Sequence, residues 1–292
     1  MRTTVNFNSN GTKCVAWLYQ PDGDGPFPII VMAHGLTGTK EMRLDAYAER
    51  FSKAGYACLV FDYRYFGGSE GDPRQLLDIK KQHQDWIAAI DYARLLPQVD
   101  IHKIVLWGSS LSGGHVLHIA SLNPKVAAVI SQVPHLSGLV STLRNSFSKL
   151  IILTIHSLYD VARGKLGLTP HYVRAAGTPK QLAFMNAAGE FEKILKIIPE
   201  GHSYDNRVTA RSAFDLALYS PIQVLSKLSM PFLVQVAEND LTTPAKPAIN
   251  LCGKISNGTL IKYETGHFEP YVEPMFSTFI EDQLKFLNSK LM

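Results

Sequence analysis

Ser110 lies in Gly108-Ser109-Ser110-Leu111-Ser112-Gly113-Gly114, after the apolar run Ile104-Val105-Leu106-Trp107 and before His115-Val116-Leu117-His118-Ile119-Ala120. The run has the character of a buried strand and the segment behind it that of a helix. A strand that becomes a helix within three or four residues bends sharply. The residue at the apex is strained, and the residues two positions to either side approach each other, so both must be small. An apex at Ser110 puts Gly108 and Ser112 at those flanks. An apex at Ser109 would force Trp107 into the gap, and one at Ser112 lengthens the strand awkwardly. A serine hydroxyl raised on such a turn is a nucleophile once a base takes its proton. Taken alone, the segment also fits a glycine-rich turn without chemistry, so partners are needed.

The segment resembles the nucleophile elbow of the α/β-hydrolase superfamily, G-x-S-x-G, with Ser112 in place of the last glycine. His34-Gly35-Leu36-Thr37-Gly38 is similar to the loop that supplies the second oxyanion-hole N–H in that family. The resemblance implies that the backbone amides of Leu36 and Leu111 are the two donors. The family order of serine, acid and histidine points to His267 of Glu264-Thr265-Gly266-His267-Phe268 among ten histidines. His202 is the alternative; His34, His115 and His118 read as structural. For the carboxylate, Asp240 in Glu238-Asn239-Asp240-Leu241-Thr242-Thr243-Pro244 matches G-x-x-D-x-x-x-P with Ala237 replacing the glycine, and Glu238 competes with it. Asp62 to Gly71 resembles the family's D-x-R-x-x-G-x-S-x-G loop, in which Asp62 and Arg64 are expected to pair. A serine at the elbow argues against dehalogenase-like and epoxide-hydrolase-like members, which carry aspartate there, and against dienelactone hydrolases, which use cysteine.

Several elements must position these residues. Thr4–Phe7 and Cys14–Tyr19 flank Asn10-Gly11 and read as a β-hairpin. Ile29–Ala33, Tyr56–Phe61, Ile104–Trp107, Ala127–Val133, Pro231–Ala237 and Thr259–Tyr263 read as strands, several apolar enough for a parallel sheet buried on both faces. Met42–Ala54, Leu76–Leu95 and Tyr271–Leu291 read as helices. Between residues 137 and 230 the strand–helix alternation lapses. Leu143–Val161, Gln181–Ile198 and Ala213–Leu225 suggest helices, with no second sheet. Leu150-Ile151-Ile152-Leu153, Phe184-Met185, Ile194-Leu195 and Ile197-Ile198 call for burial. The expectation is an α/β-hydrolase fold in which residues 1–136 and 231–292 form the core and 137–230 an inserted helical lid.

With 46% hydrophobic and 18% charged residues, the 292-residue chain can bury a large core. Its net charge of +4 comes from scattered cations, which gives little support to nucleic-acid binding. Cys14, Cys58 and Cys252 form no motif, and no apolar run approaches a membrane span, so a cytoplasmic protein with reduced thiols is expected. No metal-ligand spacing and no dinucleotide fingerprint is present, and no cofactor is expected. Together with the resemblance, these readings imply a serine hydrolase acting on a small-molecule carboxylic ester or thioester. An acyltransferase like the superfamily's polyketide transferases is the alternative, and a binding protein that keeps the fold without chemistry is a third class. Oligomeric state is left open.

Overall fold

Ile29, Val31 and Ala33 project to one face of a sheet and Ile30 and Met32 to the other, all five inaccessible to solvent. Runs of this kind require cover on both sides. In this structure, a computed structural model describing residues 1–252 and 255–291, that cover is complete. The strands are β1 (Arg2–Ser9), β2 (Thr12–Tyr19), β3 (Phe27–Ala33), β4 (Ala57–Phe61), β5 (Val99–Ser109), β6 (Ala128–Gln132), β7 (Tyr172–Ala176), β8 (Ala183–Met185), β9 (Arg207–Thr209), β10 (Phe232–Ala237) and β11 (Gly258–Tyr263). All but β7, β8 and β9 form one sheet in the order β1-β2-β4-β3-β5-β6-β10-β11. It is parallel from β4 to β11, and the β1–β2 hairpin adds an antiparallel edge. Asn10 and Gly11 both have positive φ, 49° and 84°, the backbone a two-residue hairpin turn needs.

Helices α1 (Leu44–Lys53) and α9 (Met275–Leu291) cover the face that holds Ile30, Met32 and Trp107. Helices α2 (Ile79–Arg94) and α3 (Leu111–Leu122) cover the opposite face, as does α8 (Lys246–Leu251). Helix α2 starts three residues later than its apolar pattern suggests, because the Asp78 side chain accepts the Lys81 N–H and caps it there. Residues 253, 254 and 292, which fall within the expected second part of the core, lie outside the described residues.

The stretch between β6 and β10 differs from its sequence reading. It contains α4 (Gly138–Leu143), α5 (Phe147–Lys165), α6 (Glu190–Ile197) and α7 (Ser212–Leu218), and also a three-stranded sheet, β8-β7-β9. The start of the helix expected over Gln181–Ile198 is strand β8, and only its second half is helical. Strands of three to five residues are too short to show a period, so the apolar pair Phe184-Met185 looks the same in either state. Burial is also uneven. Ile194 and Ile197 are buried, but Ile151 and Ile152 are each 45% exposed and Leu195 50%. Successive helix residues point 100° apart, so a helix packed along one side cannot bury four in a row.

The expected pair of Asp62 and Arg64 does not form. Asp62 takes the Lys40 ammonium at 2.6 Å together with the backbone N–H groups of Lys40 and Gly68. Arg64 instead reaches Asp85 on α2, at 2.7 Å, and the Ser9 hydroxyl. Each charge found its partner on an element distant in sequence, which a local motif cannot reveal. Burial opposes the Lys40 charge, but the Asp62 carboxylate, aided by Glu41 at 2.6 Å, outweighs it and holds the ammonium above its ordinary pKa. Asp62→Ala should therefore destabilise the fold by about 2 kcal/mol in urea unfolding, since it strips three donors of their acceptor and leaves the buried Lys40 ammonium with Glu41, at 2.6 Å, as its remaining carboxylate. Glu70→Ala, which breaks the exposed Lys13–Glu70 pair, should cost less than about 1 kcal/mol. Equal costs would contradict this account.

Candidate active site

Strand β5 runs into α3 through Ser110, whose φ of 58° and ψ of −120° lie outside the regions ordinary residues prefer. The bend brings the flanks together: a Cβ at Gly108 would lie 2.2 Å from the Ser112 carbonyl oxygen. Gly35 approaches from the next strand end, where a Cβ would sit 2.6 Å from the Ser110 Cβ. Ser110 N–H donates to Gln132 O, and His135 N–H donates to Ser110 O, each at 2.9 Å, so the end of β6 holds the turn in place. The neighbouring serines are fully buried and engaged. Ser109 Oγ accepts from Tyr271 and Gln132, and Ser112 Oγ bonds Tyr63 and the His34 carbonyl. Of the three, Ser110 alone borders a cavity.

His267 follows β11 and Asp240 follows β10, two neighbouring parallel strands whose ends lie beside the elbow. Asp240 Oδ1 accepts the N–H groups of Thr242 and Thr243 at 2.7 and 2.6 Å, an Asx turn that fixes the carboxylate. Its Oδ2 lies 2.6 Å from His267 Nδ1, and His267 Nε2 lies 3.0 Å from Ser110 Oγ. A carboxylate can only accept, so Nδ1 carries the imidazole proton and Nε2 is left to accept from the serine hydroxyl. The structure thus brings Ser110, Asp240 and His267 together. Glu238 is instead at the surface beside Lys262, and His202 is in a half-buried turn between α6 and β9 with no contact to Ser110.

Leu36 and Leu111 both border the cavity next to Ser110. The Leu111 N–H opens α3 and so has no acceptor within the helix. Among the described residues the Leu36 N–H has no backbone or side-chain acceptor either. The loop carrying Leu36 is shaped by His34. Its Nε2–H donates to the Met42 carbonyl, its Nδ1 accepts the Gly35 N–H, and its ring stacks on Tyr271. Thr37 ties the same loop to Tyr204. Burial pushes His34 and His135 down to about 4 each, so both are neutral near pH 7.

The cavity above Ser110 holds about 500 Å³, within the range of small-molecule sites. Its far wall comes from α4, α5 and α7 and from the β8 end, where Leu150, Leu153, Phe184 and Phe214 supply apolar surface and Lys149 and Asn186 polar groups. The sequence reading missed three residues here. Thr243 Oγ lies 2.8 Å from Asp240 Oδ2 and 3.0 Å from the Val133 carbonyl, and the Asp-x-x-Thr spacing of an Asx turn was its signal. His135 and Lys149 carried no local signal, since only the packing of distant elements brings them to the site.

A family model for the alpha/beta hydrolase fold matches residues 28–163. The quorum-quenching protein AidA of Acinetobacter baumannii is 44% identical over 284 residues, 97% of this chain and 93% of that protein. The chain belongs to the α/β-hydrolase superfamily. The polyketide transferase ATR5 of Stachybotrys chlorohalonatus is 28% identical over 83% of this chain and 82% of its own length. The crystal structure of the α/β hydrolase GrgF from Penicillium sp. sh18 superposes with a TM-score of 0.84 at 23% identity, covering 100% of this chain and 99% of that one. That likeness extends the shared fold through the segment between β6 and β10. No described helix is long and apolar enough to cross a membrane.

The buried histidines make stability depend on pH. An unfolded histidine protonates near pH 6.5, whereas His34 and His135 stay neutral down to about 4. Their contribution is whole above about pH 6.5 and is lost as the pH falls, by about 1.4 kcal/mol per pH unit for each. The urea midpoint should therefore drop markedly between pH 7.5 and pH 5.0. A midpoint that holds constant would show that these rings are solvated.

Proposed function

We propose that this chain is a serine hydrolase that cleaves carboxylic esters or thioesters of small to medium apolar substrates through an acyl-enzyme. The observation that carries the proposal is the Ser110–His267–Asp240 relay, with contacts of 3.0 and 2.6 Å. Ser110 Oγ attacks the carbonyl carbon while His267 Nε2 takes its proton. Asp240 holds the Nδ1–H tautomer and stabilises the imidazolium as it forms. The tetrahedral oxyanion is received by the N–H groups of Leu36 and Leu111, which are fixed before the reaction and need no reorganisation. His267 returns the proton to the leaving alcohol or thiol, and water then releases the acid by the same route. Residues 137–230 act as the lid over this site. None of these steps calls for a cofactor or metal. Cytoplasmic residence is part of the proposal, in keeping with three buried, unpaired cysteines.

A second reading keeps the acyl-enzyme but passes the acyl group to another nucleophile. The burial of Ser110 and His267, 8% and 1% exposed, favours it by limiting water, and so does the likeness to a polyketide transferase. Adding an amine or thiol during turnover separates the two, since a transferase diverts product to it without loss of total rate.

A fluorophosphonate should label Ser110, and Ser110→Ala should abolish both labelling and turnover while leaving the fold intact. Activity surviving in Ser110→Ala would remove the nucleophile assignment. Asp240→Asn should lower kcat by roughly four orders of magnitude, the scale for a mispositioned tautomer, with Glu238→Gln having little effect. The reverse ranking would transfer the role to Glu238.

The cavity also sets an expectation for substrate length. Each methylene buried there is worth up to about 0.8 kcal/mol, about fourfold in kcat/KM. A p-nitrophenyl ester series should therefore climb from acetate over several carbons and then level off. A steady decline from acetate would mean that the lid fills the space above Ser110.

A further inference from the structure

Lys149 gives the cavity a cationic group that acyl transfer at Ser110 does not use. It sits in the first turn of α5, and its ammonium donates to Asn186 Oδ1 at 2.5 Å and, more weakly, to the Phe184 carbonyl at 3.4 Å. The Asn186 amide is held by its own N–H bond to Gln181 O, which leaves its oxygen to face Lys149. An ammonium has three N–H donors, so one is left for the cavity that Lys149 borders. Arg144 borders the same space, anchored through one N–H to the Asp240 carbonyl. Among the described residues the cavity wall carries these two cations and neither Asp nor Glu. A cation withdrawn from water without a counter-ion is costly. Burial pulls the Lys149 ammonium down to about 8, with no carboxylate to offset it. In the free protein nothing supplies that negative charge, which leaves the ligand to bring it.

We propose that Lys149 anchors a carboxylate on the acyl chain of the substrate, remote from the scissile bond. The proposal rests on the hydrolase reading and narrows it to esters or thioesters of acids with a second, anionic end. The acyl side is assigned because an anchor there acts in both half-reactions, whereas one on the leaving group departs after the first. Asn186 positions the ammonium, and the apolar wall of Leu150, Leu153 and Phe214 takes the methylenes between the two ends.

The test compares p-nitrophenyl hemi-esters of adipic, pimelic and suberic acid with the same compounds methyl-capped at the far carboxylate. At pH 7 the free acid should exceed its capped analogue in kcat/KM by about tenfold for at least one chain length, the scale of a partly buried charge-assisted hydrogen bond. Lys149→Met should bring that ratio to about one, and Lys149→Arg should keep much of it, with circular dichroism confirming that both variants fold. A ratio at or below one in the unaltered protein, or a high ratio that persists in Lys149→Met, would overturn the anchor. Calorimetric binding of pimelic acid monomethyl ester to Ser110→Ala, weakened about tenfold when Lys149→Met is added, reads the anchor without chemistry. If that ligand binds through Lys149 but no ester turns over and Ser110 takes no label, the hydrolase reading fails and the anchor stands. Turnover of capped esters with a ratio of one or less sinks the anchor alone.

Discussion

The backbone at Ser110 is the constraint on which the site depends. A non-glycine residue at φ 58° and ψ −120° costs on the order of 1–3 kcal/mol, and it persists only where its surroundings leave no alternative. Strand β5 delivers it from below with Ile104, Val105, Leu106 and Trp107 all fully buried, so the strand cannot slide to relax the turn. From the side, the hydrogen bonds at Ser110 N and O clamp it to the end of β6. Gly108 and Gly35 are then dictated by distance, since any side chain at either position would overlap the turn itself. One strained residue thus sets the composition of two neighbouring strand ends.

Beneath the elbow the polar groups are closed into a network. Gln283 of α9 donates to Gln132 and Gln235 on adjacent strands and accepts from the Trp107 indole, while Gln132 and Tyr271 both donate to Ser109 Oγ. Every member is buried and has a partner. A satisfied network of this kind stiffens the floor of the site, whereas a partly satisfied one would weaken it. It links β5, β6, β10 and α9, and so holds the strand ends carrying Ser110 and Asp240 in register.

Electrostatics differ on the two sides of Ser110. On the core side, charge is compensated: Asp240 is enclosed by N–H donors, and His34 is neutral because burial disfavours its protonation. On the cavity side, Lys149 and Arg144 face open space without a carboxylate among the described lining residues. The inner half therefore suits proton transfer between preset partners, and the outer half suits recognition of something that arrives.

Much of this was readable from the chain alone. Steric reasoning on Gly108, Trp107 and Ser112 places the apex at Ser110, because small flanks are a local requirement. The apolar strands announce a doubly covered sheet, and Asn10-Gly11 announces the hairpin, since both signals span only a few residues. Motif resemblance named Asp240 and His267 as candidates, but it could not bring them to Ser110. That contact arises because β5, β10 and β11 end at one edge of a single sheet, a consequence of strand order that no local pattern encodes. The partners of Asp62 and Arg64, the sheet β8-β7-β9 and the cation at Lys149 were likewise decided by tertiary structure. In each case the determining neighbour lies tens of residues away or the element is too short to carry a period, so only the packed fold supplies the environment that gives the residue its role.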